Sequence, residues 1–370
     1  MSDLSIESDL NMIKKKNFYV LSSFGHAGID WISSLLDNHP EILIIPSLSF
    51  FRKIQKAKNK YKNFDKFQEK EKIKIFSELL DDQNKNKSLR LKLKGYDKKI
   101  FCKKINKFCK NFKNEKFEKK LFFSIHLYFS YLFKINLKKI KVIVCHEHAP
   151  WNCKYYKDFL DIKMISIIRD PRATISGSFR SYKRTEILSL SHRLEMTFSF
   201  LYYSIKNYNF HFKNKIFLIS NEQFNKNLVF NMLKLSKWLK INFKQTLLKQ
   251  TFLGKNWYGE SSYISKNDLT SMPNKGYYKF ENVKSRWMLF LRQTEIQFIE
   301  LIFSEIFIIG KYKKKYSLNF LQKIFLIFNF LFSNKMFNFN NKKIQNFNLF
   351  FKKILLLTLK DRYTFFIKLI

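Results

Sequence analysis

"LSSFGHAGIDWISSLLDNHPEI", residues 21–42, follows an apolar run at residues 18–20 and predicts a strand, a short turn and a helix. The turn contains Ser22, Ser23, Gly25 and Gly28. Glycine lets a backbone approach a ligand closely, and a helix N-terminus presents unpaired N–H groups and the positive end of its dipole. The stretch therefore fits either an anion-binding loop or an ordinary tight turn between a strand and a helix.

Three more apolar runs predict strands that alternate with helices: "KVIVCHEHAP" (141–150), "KMISIIRDPRATISGSFRSYKR" (163–184) and "KIFLISNEQF" (215–224). This alternation indicates a mainly parallel sheet with helices on both faces, so the predicted fold class is three-layer α/β/α. The first helix is expected to be amphipathic, with Trp31 and Leu35 on its apolar face. The Lys-rich residues 52–140 predict a helical insertion.

Polar residues collect at the predicted carboxyl ends of the strands: the turn at 22–28, then His146, Glu147 and His148, then Arg169, then Asn221 and Glu222. Ligands of parallel sheets bind beyond these ends, so we expect the four ends to converge on one crevice. On a strand, His146 and His148 would share one face, with Glu147 on the other. A histidine there suits a general base for an acceptor hydroxyl, or is a hydrogen-bonded core residue. Arg169 suits either a bidentate phosphate contact or a structural pair with Asp170.

The chain is strongly basic, with a formal net charge of +41, and 46% of its 370 residues are hydrophobic. The hydrophobic fraction predicts a sizeable core rather than global disorder. The charge implies anionic partners such as nucleic acid, acidic lipid or a polyanionic substrate. Abundant Lys, Asn, Phe and Ile, with only 8 Gly and 5 Pro, are also what AT-rich codons supply. The charge is therefore weak evidence of function.

The cysteines Cys102, Cys109, Cys145 and Cys153 show neither paired spacing nor a matching histidine pattern, so we expect free thiols and no metal site. The first apolar run is too short for a signal peptide, and none reaches the roughly 18 residues of a spanning helix. These features predict a cytoplasmic protein. Residues 313–370 predict a basic amphipathic helical extension, which either contacts an acidic membrane surface at the inner face of the membrane or packs on the rest of the protein.

Several blocks resemble the signatures of the PAPS-dependent sulfotransferases of bacterial type, where PAPS is 3′-phosphoadenylyl sulfate. "HAGIDWI" (26–32) and "DNHPEI" (37–42) are similar to the R-S-G-T-T-W-L and H-P elements, and "RDPR" (169–172) to R-[DN]-P-R. "LISNEQF" (218–224) resembles the Y-E-D-L strand, and "KSRWMLFLRQTEIQFIELIFSEIFIIGKY" (284–312) the G-R-W to G-Y ending. The blocks keep the family's order, and the resemblance implies a P-loop NTPase-like domain over residues 15–312.

The resemblance implies sulfuryl transfer from PAPS, as donor co-substrate, to a hydroxyl or amine of an acceptor such as a glycan or a lipid. No metal is implied. The catalytic residues are then His26 and His148, with His146 as the alternative base. The implied donor-binding residues are Gly25, His26, Ala27, Gly28, Ile29, Asp30, Arg169, Ser176, Ser178, Asn221 and Arg286. In this interpretation the first loop holds the 5′-phosphosulfate, and Arg169 with a neighbouring serine holds the 3′-phosphate.

The chain departs from the family's pattern at some of these positions. His26 replaces a basic residue, Ile29 and Asp30 replace two threonines, Gly177 replaces a serine and Asn221 replaces a tyrosine. Asp30 lies four residues after His26, so the two are expected to form a compensating pair. The alternative function is a non-catalytic protein that keeps the fold and binds a membrane surface or another polyanion. Nucleic acid is not an expected partner.

Overall fold

The computed structural model describes residues 3–25, 27–45, 48–85, 93–112, 114–158, 160–177, 190–257, 286–289 and 291–332. Within them, five strands form one sheet: β1 (Asn17–Ser23), β2 (Ile42–Ile44), β3 (Val142–His146), β4 (Ile162–Ile168) and β5 (Ile216–Ser220). The strand order is β2-β3-β1-β4-β5, and every neighbouring pair is parallel. Since β3 and β4 lie on opposite sides of β1, the chain reverses direction across the sheet at β1, where such sheets bind ligands.

Helices cover both faces of the sheet, so the predicted three-layer α/β/α architecture is confirmed. They are α1 (Asp3–Lys14), α2 (Ile29–Leu36), α3 (Phe50–Lys60), α4 (Glu69–Lys85), α5 (Lys98–Cys109), α6 (Phe117–Leu132), α7 (Cys153–Tyr156), α8 (171–177), α9 (Leu190–Asn207), α10 (Asn221–Lys226), α11 (Leu228–Leu239), α12 (Gln293–Ile302), α13 (Ser304–Gly310) and α14 (Phe320–Phe332). The helices α3–α6 occupy the stretch that was predicted to be helical.

Elements that the sequence did not predict include α1 and the edge strand β2. Three residues are too few for β2 to show an alternating pattern, although all three are buried. The helix α1 buries Ile6, Leu10 and Ile13 in the core, and Met12 packs against the same cluster. Both elements are therefore formed by tertiary packing rather than by a strong local signal.

The central strand β1 divides the core into two halves by its side-chain alternation. Phe18 and Val20 pack with α1 and α3–α6 on one face, whereas Tyr19 and Leu21 pack with α2, α10 and α11 on the other. Val20 and Leu21 are fully buried, and each such side chain contributes about 1.5–3 kcal/mol by its removal from water. Burial on both faces fixes the register of β1, and hence the point where it ends.

A third cluster packs α8, α9, α12 and α13 beyond the end of β4. At its centre Arg172 is paired with Asp170, at 2.7 Å from Nη2 to Oδ2, and with Glu300, at 2.5 Å from Nη1 to Oε1. Its Nη2 also donates to the carbonyl oxygen of Lys313 at 3.0 Å. This buried network joins the segment after β4 to the start of the C-terminal extension.

The described part of the extension contains α14. Leu326 is buried against the third cluster, whereas Phe320, Leu321 and Phe325 are exposed. Among the described helices, none is both long enough and apolar enough to cross a bilayer. The rest of the predicted extension, residues 333–370, lies outside the described residues.

His126 of α6 is a buried histidine with a structural role. Its Nδ1 donates to the carbonyl oxygen of Phe122 at 2.8 Å, and its ring lies 4.3 Å from the Phe122 ring between centroids. Burial lowers the pKa of His126 to about 4, from an ordinary value of 6.5. The folded protein therefore excludes a proton that the unfolded chain binds below pH 6.5.

We expect the free energy of unfolding to fall by about 3 kcal/mol on this account as the pH drops from 6.5 to about 4. In His126→Gln, whose amide can donate to the same carbonyl, this part of the pH dependence should disappear. Urea unfolding of both proteins across this pH range measures the difference. Parallel pH profiles for the two proteins would contradict the assignment.

Candidate functional site

The loop between β1 and α2, residues 24–28 (the β1–α2 loop), is a tight turn at the middle of the sheet. Gly25 has φ +69° and Gly28 φ +98°, in the left-handed region that side chains with a Cβ rarely adopt. The Ser23 hydroxyl donates to the Gly25 carbonyl oxygen at 2.7 Å, and the Ala27 N–H donates to the same oxygen at 2.7 Å. His26, the predicted contact to the donor's phosphosulfate, lies outside the described residues.

The β1–α2 loop is held between residues that follow β4 and β5. The Nδ2 of Asn221 donates to the Ala27 carbonyl oxygen at 2.5 Å. A Cβ on Gly28 would lie 2.5 Å from the same nitrogen, and a Cβ on Gly25 would lie 3.1 Å from the Cγ2 of Thr174. Asn221 was predicted to contact the nucleotide, but this buried amide nitrogen contacts the loop backbone instead.

The helix α2 has the expected amphipathic pattern, but most of its polar face is buried as well. Seven of its eight residues are buried, and Asp30 is the exception. The helix packs against β1 and β2 of the sheet and against the segments Gln245–Leu248 and Thr251–Phe252, so its serines are buried together with its apolar residues. The hydroxyl of Ser34, for example, donates to the carbonyl oxygen of Trp31 at 2.7 Å. Asp30 is left as the one charged group of α2, in its first turn.

Asp30 lies beside both histidines at the end of β3. Its Oδ1 is 3.7 Å from the Nε2 of His146 and 3.7 Å from the Nε2 of His148. The sequence predicted His26 as the partner of Asp30. Among the described residues, the neighbours of the Asp30 carboxylate are His146, the last residue of β3, and His148, two residues further along the chain. Either imidazole, when protonated, offsets the negative charge that Asp30 brings to the loop.

The two histidines differ in exposure because β3 ends at His146 and His148 lies beyond it. The side chain of His146 is fully buried, with Nδ1 3.4 Å from the Oγ of Ser33. The side chain of His148 is 28% exposed, and its backbone N–H donates to the Oγ of Ser49 at 3.0 Å. His148 is thus the histidine that an external substrate can reach.

Glu147 points to the opposite face, as strand alternation predicts. Its carboxylate accepts from the Ala149 N–H at 3.2 Å and from the Tyr156 hydroxyl at 3.3 Å. Full burial raises the pKa of Glu147 to about 7, although Arg52 and these donors oppose the rise. The group is part of the packing between β3, α3 and α7 rather than of the crevice.

Sequence reasoning offered Asp170 as one of two possible partners of Arg169, but Asp170 is paired with Arg172. Arg169 instead has its Nε 3.8 Å from the Oε1 of Glu222, which follows β5. Burial raises the pKa of Glu222, and the charge of Arg169 opposes this. A Cβ on Gly177 would lie 4.0 Å from the Nη1 of Arg169. The position where the family has a serine therefore faces the Arg169 guanidinium.

The remaining predicted residues are not all brought to this crevice. Ser176 is buried, and its hydroxyl donates to the Ala173 carbonyl oxygen at 3.2 Å within α8. Ser178 lies outside the described residues. Arg286 begins a short 3₁₀ helix, Arg286–Leu289, but its side chain is not among those described.

Sequence reasoning gave no role to two residues that organise this site, Glu222 and Tyr312. The Tyr312 hydroxyl donates to the Oε2 of Glu222 at 2.7 Å, so the carboxylate bridges Tyr312 and Arg169. The contact of Glu222 could have been predicted from the sequence, because Glu222 is an acidic residue just after β5 and Arg169 follows the neighbouring strand β4. Tyr312 is the tyrosine of the block that resembles the G-Y ending, but that resemblance assigned it no contact, and its place beside β5 depends on the packing of α12 and α13.

No protein-family model and no curated protein sequence matches the chain. Similar solved structures include the sulfotransferase domain from the Synechococcus PCC 7002 olefin synthase, with 12% identity, 83% of this chain and 97% of that chain covered, and a TM-score of 0.48. The sulfotransferase domain from the curacin biosynthetic pathway has 13% identity, coverages of 78% and 97%, and a TM-score of 0.44. Sulfotransferase STF9 from Mycobacterium avium has 12% identity, coverages of 83% and 80%, and a TM-score of 0.38. Likeness at this level assigns neither a family nor an activity.

The glycine geometry predicts a selective effect of Gly28→Ala. The added Cβ requires a left-handed conformation, which costs about 1–2 kcal/mol, and it displaces the Asn221 amide from the loop. We expect lower stability together with loss of binding of 3′-phosphoadenosine 5′-phosphate, measured by calorimetry. Gly95→Ala is the matched control, because Gly95 has φ +77° and lies against Leu132, away from this crevice. Undiminished nucleotide binding by Gly28→Ala would contradict the role of the loop.

Proposed function

We propose that the protein is a sulfotransferase that moves a sulfuryl group from PAPS to a hydroxyl or amine of an acceptor, with glycans and lipids as the candidate classes. The observation that carries this proposal is the meeting of the β1–α2 loop, Asp30 and His148 at the ends of β1 and β3. The loop and the start of α2 supply a fixed anion site, and His148 supplies a reachable base. The resemblance of "HAGIDWI" and "RDPR" to the family's signatures supports the same assignment.

The donor would lie with its 5′-phosphosulfate over the β1–α2 loop. The first N–H groups of α2 have no acceptor within the helix and lie at the positive end of its dipole, so they stabilise negative charge. His26 would donate to the same anion. Asn221 acts as a positioning residue, because its amide fixes the Ala27 carbonyl oxygen away from the phosphosulfate and holds the backbone in its left-handed turn.

In the transfer step the acceptor oxygen attacks the sulfur atom, and a new oxygen–sulfur bond forms. The bond between sulfur and the bridging oxygen of the phosphosulfate breaks, and its electron pair leaves on the 5′-phosphate of 3′-phosphoadenosine 5′-phosphate. The acceptor proton moves to the Nε2 of His148. Asp30, 3.7 Å from this nitrogen, stabilises the imidazolium that results. Charge that develops on the leaving phosphate is met by the α2 N–H groups.

The other end of the nucleotide would lie against Arg169. A guanidinium can bind a phosphate with two parallel hydrogen bonds, and Glu222 holds Arg169 at the carboxyl end of β4. Arg169 would thus hold the 3′-phosphate, with Ser178 beside it and Arg286 covering the nucleotide. The hydroxyl of Ser176 is bound within α8, so Ser176 contributes less to this contact than the sequence suggested.

Transfer of labelled sulfate from PAPS to a panel of glycans, lipids and small alcohols tests the activity. With any acceptor that is modified, we expect His148→Gln to lower turnover by about 100-fold to 10,000-fold, the usual contribution of a general base. PAPS affinity should be retained. His39→Gln is the control, because the His39 ring is bound to the Asn242 carbonyl oxygen at 3.0 Å and has no place in the mechanism. Unchanged turnover in His148→Gln would overturn the base assignment.

The geometry around Gly177 predicts a gain of affinity. In Gly177→Ser the new side chain points at the Nη1 of Arg169, so its hydroxyl can share the 3′-phosphate with the guanidinium. We expect about tenfold tighter binding of PAPS, as for one hydrogen bond to a charged group. Gly177→Ala adds the Cβ alone and should show no gain. Adenylyl sulfate, which lacks the 3′-phosphate, should bind the wild-type protein, Gly177→Ser and Gly177→Ala equally. Tighter binding of adenylyl sulfate by Gly177→Ser would contradict the placement of the 3′-phosphate beside Arg169.

A further inference from the structure

Asp30, His146 and His148 bring three metal-ligating atoms together, from parts of the chain that no short motif connects. The Asp30 carboxylate oxygen and the two Nε2 atoms all lie within 4.8 Å of one another. We propose that these three side chains bind one divalent metal ion, with Zn²⁺ as the ion that fits their chemistry. The proposal stands on this geometry and not on the sulfuryl transfer proposed above, and it revises the expectation that the chain holds no metal site.

The distances suit an ion held between the side chains. Oδ1 of Asp30 is 3.7 Å from each Nε2, wider than a direct hydrogen bond. Around a tetrahedral zinc ion with bonds of about 2.0–2.2 Å, ligand atoms lie about 3.3 Å apart. The Asp30 pairs therefore need to close by only a few tenths of an ångström. Rotation of the Asp30 side chain, which is 32% exposed, can supply that movement.

The ligand types select the metal. Imidazole nitrogens suit zinc, copper, iron and nickel, whereas magnesium and calcium prefer all-oxygen sites. Two imidazoles and one carboxylate form the donor set of zinc sites that keep their fourth position open for water or a substrate. The partly exposed edges of Asp30 and His148 give the ion a path from solvent and place the open position toward it.

The surroundings of the three ligands hold them in place. His146 is paired with Leu21 across β1 and β3, and its Nδ1 is 3.4 Å from the Ser33 Oγ, which leaves Nε2 directed at Asp30. The His148 backbone is fixed by the Ser49 hydroxyl. Such partners of a ligand's second nitrogen or backbone set ring orientation and raise metal affinity. Asp30 belongs to the buried helix α2 and His146 to β3, so two of the three ligands lie on regular elements, and the backbone of the third is held by Ser49.

If the protein transfers sulfuryl groups as proposed, metal binding has a consequence for that reaction. A metal on the His148 Nε2 uses the electron pair with which that nitrogen would accept a proton. A zinc-bound protein therefore cannot use His148 as a base, and Zn²⁺ becomes an inhibitor of the transfer. Loading of this site would connect activity to the supply of free zinc.

The test is a calorimetric titration of the full chain with ZnCl₂, after removal of metal by a chelator and dialysis. We expect one saturable site per chain. Asp30→Asn and His148→Gln should each weaken it by at least about 100-fold, since loss of a ligand costs more than loss of an outer partner. His211→Gln is the matched control, because His211 precedes β5 at the opposite edge of the sheet. Circular dichroism melts establish that each variant is folded.

Titration with Co²⁺ gives a second measurement that needs no variant. Tetrahedral coordination by nitrogen and oxygen produces visible absorption, whereas coordination by a cysteine adds a thiolate band in the near ultraviolet. Absence of saturable zinc binding, unchanged binding in both Asp30→Asn and His148→Gln, or a thiolate band would each overturn the proposal. Zinc binding without inhibition of sulfate transfer would support the metal site and overturn His148 as the base. Transfer without any zinc binding would overturn the metal site alone.

Discussion

The hydrogen bond from the Asn221 amide to the Ala27 carbonyl oxygen is the contact on which the site depends. It joins the end of β5 to the loop that follows β1, and it leaves no room for a side chain at position 28. The loop therefore turns through two left-handed glycines, and α2 begins where its first turn faces the end of β3. Without this contact, Asp30 would not lie beside His146 and His148, and the α2 N-terminus would not face the crevice.

Each acidic group at or next to the crevice lies against a basic or imidazole side chain, although the chain as a whole carries +41. Asp30 lies against two histidines, Glu222 lies against Arg169, and Asp170 and Glu300 are paired with Arg172. Exposed lysines lie instead on helices such as α4 and α5, for example Lys74 and Lys104. Recognition of the proposed donor in this crevice would therefore depend on oriented N–H groups and single cations rather than on the net charge of the chain.

The sequence predicted the parts of the fold whose signal is local. β1, β3, β4 and β5 are apolar runs that end in polar residues, and the parallel sheet followed from their alternation with helices.

The sequence did not predict the burial of α2, since Ser33 and Ser34 count as polar in a pattern but are buried in the structure. It left the partner of Arg169 open and gave none to Arg172, because the two arginines flank the same aspartate and Glu300, which also binds Arg172, lies far along the chain. The grouping of Asp30 with His146 and His148 was out of reach for the same reason: the register of β1 against β3 creates it, and no spacing in the chain records it.

We propose that the loop held by Asn221, together with Arg169, binds a nucleotide that carries a 3′-phosphate. Calorimetric titration of the full chain with 3′-phosphoadenosine 5′-phosphate and, separately, with adenosine 5′-monophosphate tests this binding. We expect one site per chain for the first nucleotide, and binding at least about tenfold weaker for the second, because charged hydrogen bonds from Arg169 to the 3′-phosphate are then lost. No binding of either nucleotide, as a scaffold without catalytic function would show, or equal affinity for both, would contradict it.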